Sequence, residues 1–199
     1  MAETFSFLGD PEDTREAIMK ATYLALCKHG YAGLTIARIA EDFEKSKSLL
    51  YHHYDSKDEL LFDFLAFMLD EFQQTFPESG SESPEERLDA IIEGSLEPKT
   101  WDEDRKFTRA MTELRAQAAH DERFREHFTD HDRVIRETVV ETIEAGIEDG
   151  VFRDVDTETV AAFLVAALSG GMNQLATTES APSIREELDR YVSTVLLAE

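Results

Sequence analysis

Apolar residues recur along this chain at helical rather than strand spacing, and glycine, proline and short polar clusters divide them into segments. Ile18, Thr22, Ala25 and Leu26 fall at i, i+4, i+7 and i+8, which puts them on one mostly apolar face. A helix is therefore expected from an Asp13 or Thr14 cap to His29, stopped by Gly30. A short helix follows Thr35, its natural N-cap, with Ile36, Ile39, Ala40 and Phe43 on one side. A third begins at Ser46 and reaches about Tyr54, bounded by the turn Asp55-Ser56-Lys57. Lys57 or Asp58 then opens a strongly apolar helix, Leu60 to Phe76, broken by the polar segment Pro77 to Pro84.

Further helices are expected at about 84–97, 100–119, 121–149, 156–177 and 182–198, with Gly150 ending one and Asp156 or Thr157 capping the next. No run of alternating polar and apolar residues between turn signals suggests a strand, and no segment repeats. The fold class is all-α. Residues 1–13 read as a loose tail, 14–58 as a three-helix unit containing a helix-turn-helix, and 59–199 as a second helical domain of about six helices.

Composition narrows the setting. Of 199 residues, 42% are hydrophobic, enough for a packed core despite a net charge of -23. The single cysteine, Cys27, excludes an intramolecular disulfide and a thiolate zinc cluster. No stretch approaches the roughly 18 uninterrupted apolar residues of a membrane span, and Met1 to Asp13 is acidic, unlike a signal peptide. A cytoplasmic protein without a membrane partner is expected.

The acidity is unevenly spread. Residues 1–60 carry seven lysines and arginines against eleven acidic residues, a balance of -4, which leaves -19 for the rest. Such a charge normally repels nucleic acid. Yet Lys45, Lys47 and Lys57 cluster in one short stretch. Seven lysines against 43 acidic residues also suit a salt-rich, halophilic cytoplasm, where carboxylates keep a surface hydrated and screening over about 3 Å at 1 M mutes repulsion.

Two short helices joined by a tight turn and preceded by a longer one make a unit whose last helix can enter a major groove. Ser46 is placed to cap that helix; Lys47, Ser48, Tyr51 and His52 offer donors on its exposed side, while Leu50, with His53 or Tyr54, would anchor the other side. Taken singly, each has a plainer reading: a half-buried aromatic, a surface histidine pair, a solvated lysine.

The blocks Leu34-Thr35-Ile36-Ala37-Arg38-Ile39-Ala40-Glu41, Ser46-Lys47-Ser48-Leu49-Leu50-Tyr51-His52-His53-Tyr54 and Ser56-Lys57-Asp58-Glu59-Leu60-Leu61 resemble, in order and spacing, the TetR/AcrR family of regulators. The match spans residues 14–62. By this resemblance Thr35, Ser46, Tyr51 and Lys57 hold phosphates; the exposed donors Lys47, Ser48 and His52 are the candidates for base edges or nearby phosphates. The chain departs from the family in two places. Glu44-Lys45 stands where Gly-Val is common, and a non-glycine residue in a left-handed turn position costs around 1 kcal/mol, so a turn of different geometry or a slightly strained one is expected. Ser48 and Leu49 replace Gly and Thr, and Leu49 offers a thymine methyl contact without a donor.

In the family the remaining helices form a ligand cavity and a dimer interface. Phe67, Met68, Trp101, Phe107, Met111 and Leu114 are the candidate apolar pocket, with Arg109 or Arg115 facing an acidic ligand. Phe163, Leu164, Ala167, Leu168 and Gly171, followed by Leu188, Val192 and Val195, are the candidate dimer interface, two helices from each subunit forming a four-helix bundle. His120, His127 and His131 form the one histidine cluster, but solvated pairs of this kind are common on acidic helices, so no metal and no cofactor are expected. There is no nucleophile elbow, phosphate loop or HExxH, hence no enzyme.

The leading expectation is a ligand-responsive regulator, a repressor that binds a palindromic DNA operator as a homodimer and is released by a small-molecule effector. The alternative, favoured by the acidity and the Glu44 turn, is a helical protein-protein adaptor that has lost DNA binding.

Overall fold

A computed structural model of the chain describes residues 10–75, 83–96, 103–179 and 184–198. Over these residues it is all-helical, apart from an isolated antiparallel bridge between Phe152 and Leu197. Nine α-helices are found among the described residues: α1 (Thr14–Gly33), α2 (Ile36–Asp42), α3 (Lys47–His53), α4 (Lys57–Thr75), α5 (Pro84–Leu96), α6 (Glu103–Gln117), α7 (Glu122–Glu148), α8 (Thr157–Thr177) and α9 (Ile184–Tyr191).

Caps explain most of the starts. Asp13, not Thr14, caps α1, its carboxylate accepting from the Glu16 N–H at 2.9 Å. The Ser56 hydroxyl accepts from the Glu59 N–H at 3.1 Å while Glu59 accepts from the N–H of Asp55, one residue before the cap, and together they open α4. Ser83 and Glu86 form a reciprocal cap at α5, with Pro84 in the first helical position, where a missing N–H costs nothing. Asp156 caps α8 through the Thr159 N–H at 3.2 Å.

Two ends differ from the sequence expectation. Gly30 does break α1, with φ 62°, but helical structure resumes to Gly33. The last helix does not run on to 198: α9 stops at Tyr191 and Val192–Leu196 form a wider, π-helical turn. Its carbonyls are bonded from outside: the Arg153 N–H donates to Leu196 O at 2.7 Å and Arg153 Nη1 to Thr194 O at 2.8 Å.

The chain forms two compact units. The first holds α1 to α4, α6 and the start of α7, so the 14–58 segment lies wholly inside it. Its core is built from Ile18, Met19, Leu26, Ile39, Leu50, Leu60, Leu61, Phe64, Leu114 and Phe124, all buried. The second holds α5, the rest of α7, α8 and α9 around Ile92, Val139, Ile143, Phe152, Leu164 and Leu196.

Candidate nucleic-acid interface

The first unit presents α3 through the asymmetry of its seven residues. Leu50 is fully buried, and Leu49 is half-buried against the same core, which limits its reach toward a thymine methyl. On the other side Lys47, Ser48, Tyr51 and His52 are exposed, Tyr51 to 53%. His53 is also exposed, so Tyr54 alone supplies the second anchor.

That anchor is a polar one. The Tyr54 hydroxyl donates to the carboxylate of Asp63 on α4, and Arg15 of α1 donates to the same carboxylate at 2.7 Å. Burial raises the Tyr54 pKa and the bond to Asp63 raises it further, so the phenol stays a donor. Burial pushes the Asp63 carboxyl up, but the bonds from Arg15 and Tyr54 outweigh it and hold it below its ordinary value. Arg15 also lies over the Phe67 ring, 5.1 Å from its centre. Three helices are thereby tied at the base of α3. No periodicity could have indicated this network, since its members are far apart in sequence.

The turn before α3 is unstrained. Among the described residues only Gly30 and Gly150 have positive φ, so neither Glu44 nor Lys45 is left-handed and, of the two expected courses, the turn takes a different geometry. Phe43 leaves α2 in an extended conformation and is buried, which sets the turn without a glycine. Lys45 reaches back to α1, its ammonium 3.3 Å from Asp13 O and 3.2 Å from the Thr14 hydroxyl.

The remaining candidates fall around α3. Thr35 caps α2, its oxygen accepting from the Arg38 N–H at 3.2 Å, which leaves its hydroxyl proton available. Ser46 occupies the N-cap position of α3 but makes no capping bond; its hydroxyl pairs with that of Ser48 at 2.7 Å. Lys57 is half-buried, its ammonium 4.1 Å from the centre of the Tyr31 ring and 3.4 Å from Tyr31 O. Lys28 is paired with Asp42 on the flank. Lys45 and Lys47 are thus exposed cations beside α3, with exposed Glu44 and Asp55 as acidic residues flanking it in sequence.

The other two candidate groups are dispersed. Phe67 and Leu114 are buried in the first unit's core, where Met68, Phe107 and Met111 pack at its margin and Phe107 stacks on Tyr23 at 4.6 Å. Trp101 lies outside the described residues. Arg109 is exposed, and Arg115 lies 5.1 Å from the centre of the Phe128 ring. In the second unit Leu164, Leu168, Gly171 and Leu188 are buried within the chain itself. This corrects their placement on a surface, because α8 is apolar on both faces and its periodicity does not say which one packs inward. The outward face carries Phe163, 48% exposed and stacked on Tyr191 at 4.5 Å, with Ala166 and Gly170; Ala167, Val192 and Val195 are half-buried.

α8 is long and apolar enough by composition to cross a membrane, yet its Leu164 and Leu168 face belongs to the second unit's core. Among the described residues no three histidine, cysteine or acidic side chains converge as a metal site would require, the His120, His127 and His131 group included.

Comparison with known proteins supports this picture. The family model for "Bacterial regulatory proteins, tetR family" matches residues 18–64, and that for "BetI-type transcriptional repressor, C-terminal" matches residues 84–197. The chain is 30% identical over 193 residues to the HTH-type transcriptional repressor AcnR of Corynebacterium glutamicum, covering 94% of this chain and 95% of AcnR. The crystal structure of a TetR transcription regulator from Haloarcula marismortui is 34% identical, with TM-score 0.79 over 92% of this chain and 97% of that one. A regulator from Saccharomonospora viridis, solved in complex with choline, has TM-score 0.77 over 93% of this chain and 98% of that one, at 22% identity. That last likeness is one of fold.

Proposed function

Because this chain belongs to the TetR family of bacterial regulatory proteins and is a DNA-binding regulator rather than an enzyme, we propose that it is a repressor that binds a palindromic operator as a homodimer and is released by a small-molecule effector. The observation that carries the operator-binding part is the orientation of α3: Leu50 is buried and Tyr54 tied to Asp63, while Tyr51, Lys47, Ser48 and His52 face outward together. In this reading Tyr51, Lys57, Thr35 and Ser46 hold the phosphate backbone, and Lys47, Ser48 and His52 set the register on the bases.

The homodimer is supported by the outward face of α8. A half-exposed phenylalanine flanked by Ala166, Ala167 and Gly170 is the kind of apolar surface that a second copy buries across a two-fold axis. Two α3 helices brought about 34–36 Å apart would then read successive turns of one groove. Effector release requires that the small molecule bind better to a spacing incompatible with the operator, and by linkage the operator must weaken effector binding by the same factor.

The net charge of -23 fits this reading when the working medium is salt-rich, where screening over about 3 Å at 1 M separates the local field at α3 from the acidic remainder. Footprinting on the DNA upstream of the protein's own gene tests the reading: a protected palindrome supports it, and protection that never exceeds that on unrelated DNA opposes it. An effector found by thermal shift should then lower operator affinity.

A further inference from the structure

We propose that Glu113 of α6 is a positioning residue for DNA binding, holding the break in α1 so that Tyr31 seats the Lys57 ammonium where it meets a phosphate. This rests on the reading of Lys57 as a phosphate ligand.

Tyr31 is held through both of its backbone polar groups. Its N–H, freed from α1 by the break at Gly30, donates to Glu113 Oε2 at 2.7 Å. Its carbonyl accepts from the Leu34 N–H at 3.2 Å and lies 3.4 Å from the Lys57 ammonium, which also sits 4.1 Å from the centre of the Tyr31 ring. The ring itself is set edge-on against the buried Phe124, with centres 6.3 Å apart. Tyr31 is therefore the common seat of one carboxylate from α6 and one cation from the start of α4.

The approach of Glu113 is built into the chain. Gly30 has φ 62°, and a Cβ there would stand 2.9 Å from Glu113 Oε2 and 3.3 Å from Oε1, so a side chain at this position would displace the carboxylate. Among the described residues Glu113 has no lysine or arginine partner within ion-pair distance, and the Tyr31 amide is the polar group its carboxylate meets. An acidic side chain spent on one backbone N–H, at the point where a helix must break and restart, fixes the backbone there.

Lysine is the side chain that most needs such help. Its four-carbon stem carries large rotamer freedom, so an ammonium already seated on a ring loses less entropy when a phosphate arrives. The Tyr31 carbonyl is a weak partner at 3.4 Å, which leaves the ammonium protons for an outside acceptor. Loss of the Glu113 bond lets residues 30–33 shift and costs Lys57 its seat.

The test is a double-mutant cycle on operator affinity in the full-length protein, measured on the footprinted DNA. Glu113→Ala lowers affinity by about tenfold, the effect of removing one charge-assisted bond, and by less than about twofold in a Lys57→Ala background, since the two act through one seat. Glu113→Gln, whose amide oxygen still accepts from the Tyr31 N–H, restores most of the affinity. Hydrogen exchange at the Tyr31 amide rises in Glu113→Ala and stays low in Lys57→Ala. If Glu113→Ala does not fold, Glu113→Met carries the cycle, because it keeps the length of the side chain and removes the acceptor of the Tyr31 N–H. Equal losses in both backgrounds, or a folded Glu113→Ala that binds like the parent, overturn the proposal alone; a parent protein that binds no operator overturns the functional reading and this inference together.

Discussion

Tyr54, the residue that ends α3, donates its hydroxyl to Asp63 on α4, and the same carboxylate receives Arg15 from α1 at 2.7 Å. One carboxylate thus fixes the base of α3 against two neighbours. Removing it in Asp63→Asn leaves two donors competing for a weaker acceptor, and a loss of about 1–2 kcal/mol in unfolding free energy is expected. Urea titration of the two proteins at neutral pH measures it, and equal midpoints would show that the network contributes nothing.

The same pair gives a pH signature. The Asp63 carboxyl sits below its ordinary value because its two bonds outweigh its burial. Its stabilising contribution is therefore complete above the ordinary carboxylate pKa of about 4 and disappears as pH falls through the lower folded value. The gap between parent and Asp63→Asn should be widest near pH 7 and close as both are taken toward about pH 3. On the alkaline side the raised Tyr54 pKa means that stability is held below about pH 10 and lost as pH rises beyond it, a loss that Tyr54→Phe should not show. Gaps that stay constant across either range would contradict these assignments.

Gly146 in α7 is covered by the ring of Phe152, and a Cβ at Gly146 would fall 2.0 Å from Phe152 Cδ2. The Phe152 N–H also donates to Gly146 O at 2.9 Å, so the ring cannot withdraw without breaking the turn after α7. Gly146→Ala should cost about 3 kcal/mol, the upper range of overpacking. Thermal unfolding checks this; an unchanged midpoint would mean that the second unit's core accommodates the methyl group.

Phe163 is the test of the dimer. Because its ring is 48% exposed in the single chain, Phe163→Glu should leave the helical content unchanged. Light scattering should give twice the 22.6 kDa chain mass for the parent and the single mass for the variant. A monomeric parent, or a variant that still dimerises, would place the interface elsewhere or nowhere.

The charge makes a further demand. With 43 acidic residues and a net charge of -23, self-repulsion in dilute buffer should be relieved by salt. The midpoint of thermal unfolding is expected to rise by several degrees, roughly 5 °C or more, between 0.1 and 2 M KCl as the screening length falls to a few ångströms. A flat or falling midpoint would argue for an ordinary, low-salt setting.

The helices are legible in the sequence because Ile18 to Leu26, Leu60 to Phe72 and Val160 to Leu168 repeat at helical spacing, and the caps Thr35 and Asp156 stand at the starts of α2 and α8; Phe76 lies outside the described residues. The exposed face of α3 follows from its motif. Long-range polar contacts do not: Arg15 and Asp63 are 48 positions apart, Tyr31 and Glu113 are 82 apart, and neither pair has a local pattern. Nor can spacing distinguish the two faces of α8, since a side chain that packs on its own subunit and one that awaits a partner are equally apolar. The π-helical turn at Val192–Leu196 is invisible because its cause lies in Arg153, outside the segment. At Glu44-Lys45 the sequence leaves a strained turn and a different geometry open, and the backbone takes the latter.

The central claim is that the outward face of α3 binds DNA specifically despite the acidic whole. Fluorescence anisotropy of the upstream DNA against the purified protein, over a KCl series reaching molar concentration, tests it with Tyr51→Ala and Lys57→Ala as controls. The account predicts saturable binding, stronger than to unrelated DNA, that weakens in both variants, with a salt dependence shallower by about 0.9 in log–log slope in Lys57→Ala, which removes a cation, and unchanged in Tyr51→Ala, which removes a neutral donor. A folded dimer that binds no DNA at any salt would contradict it and leave the protein-protein adaptor as the reading of this fold.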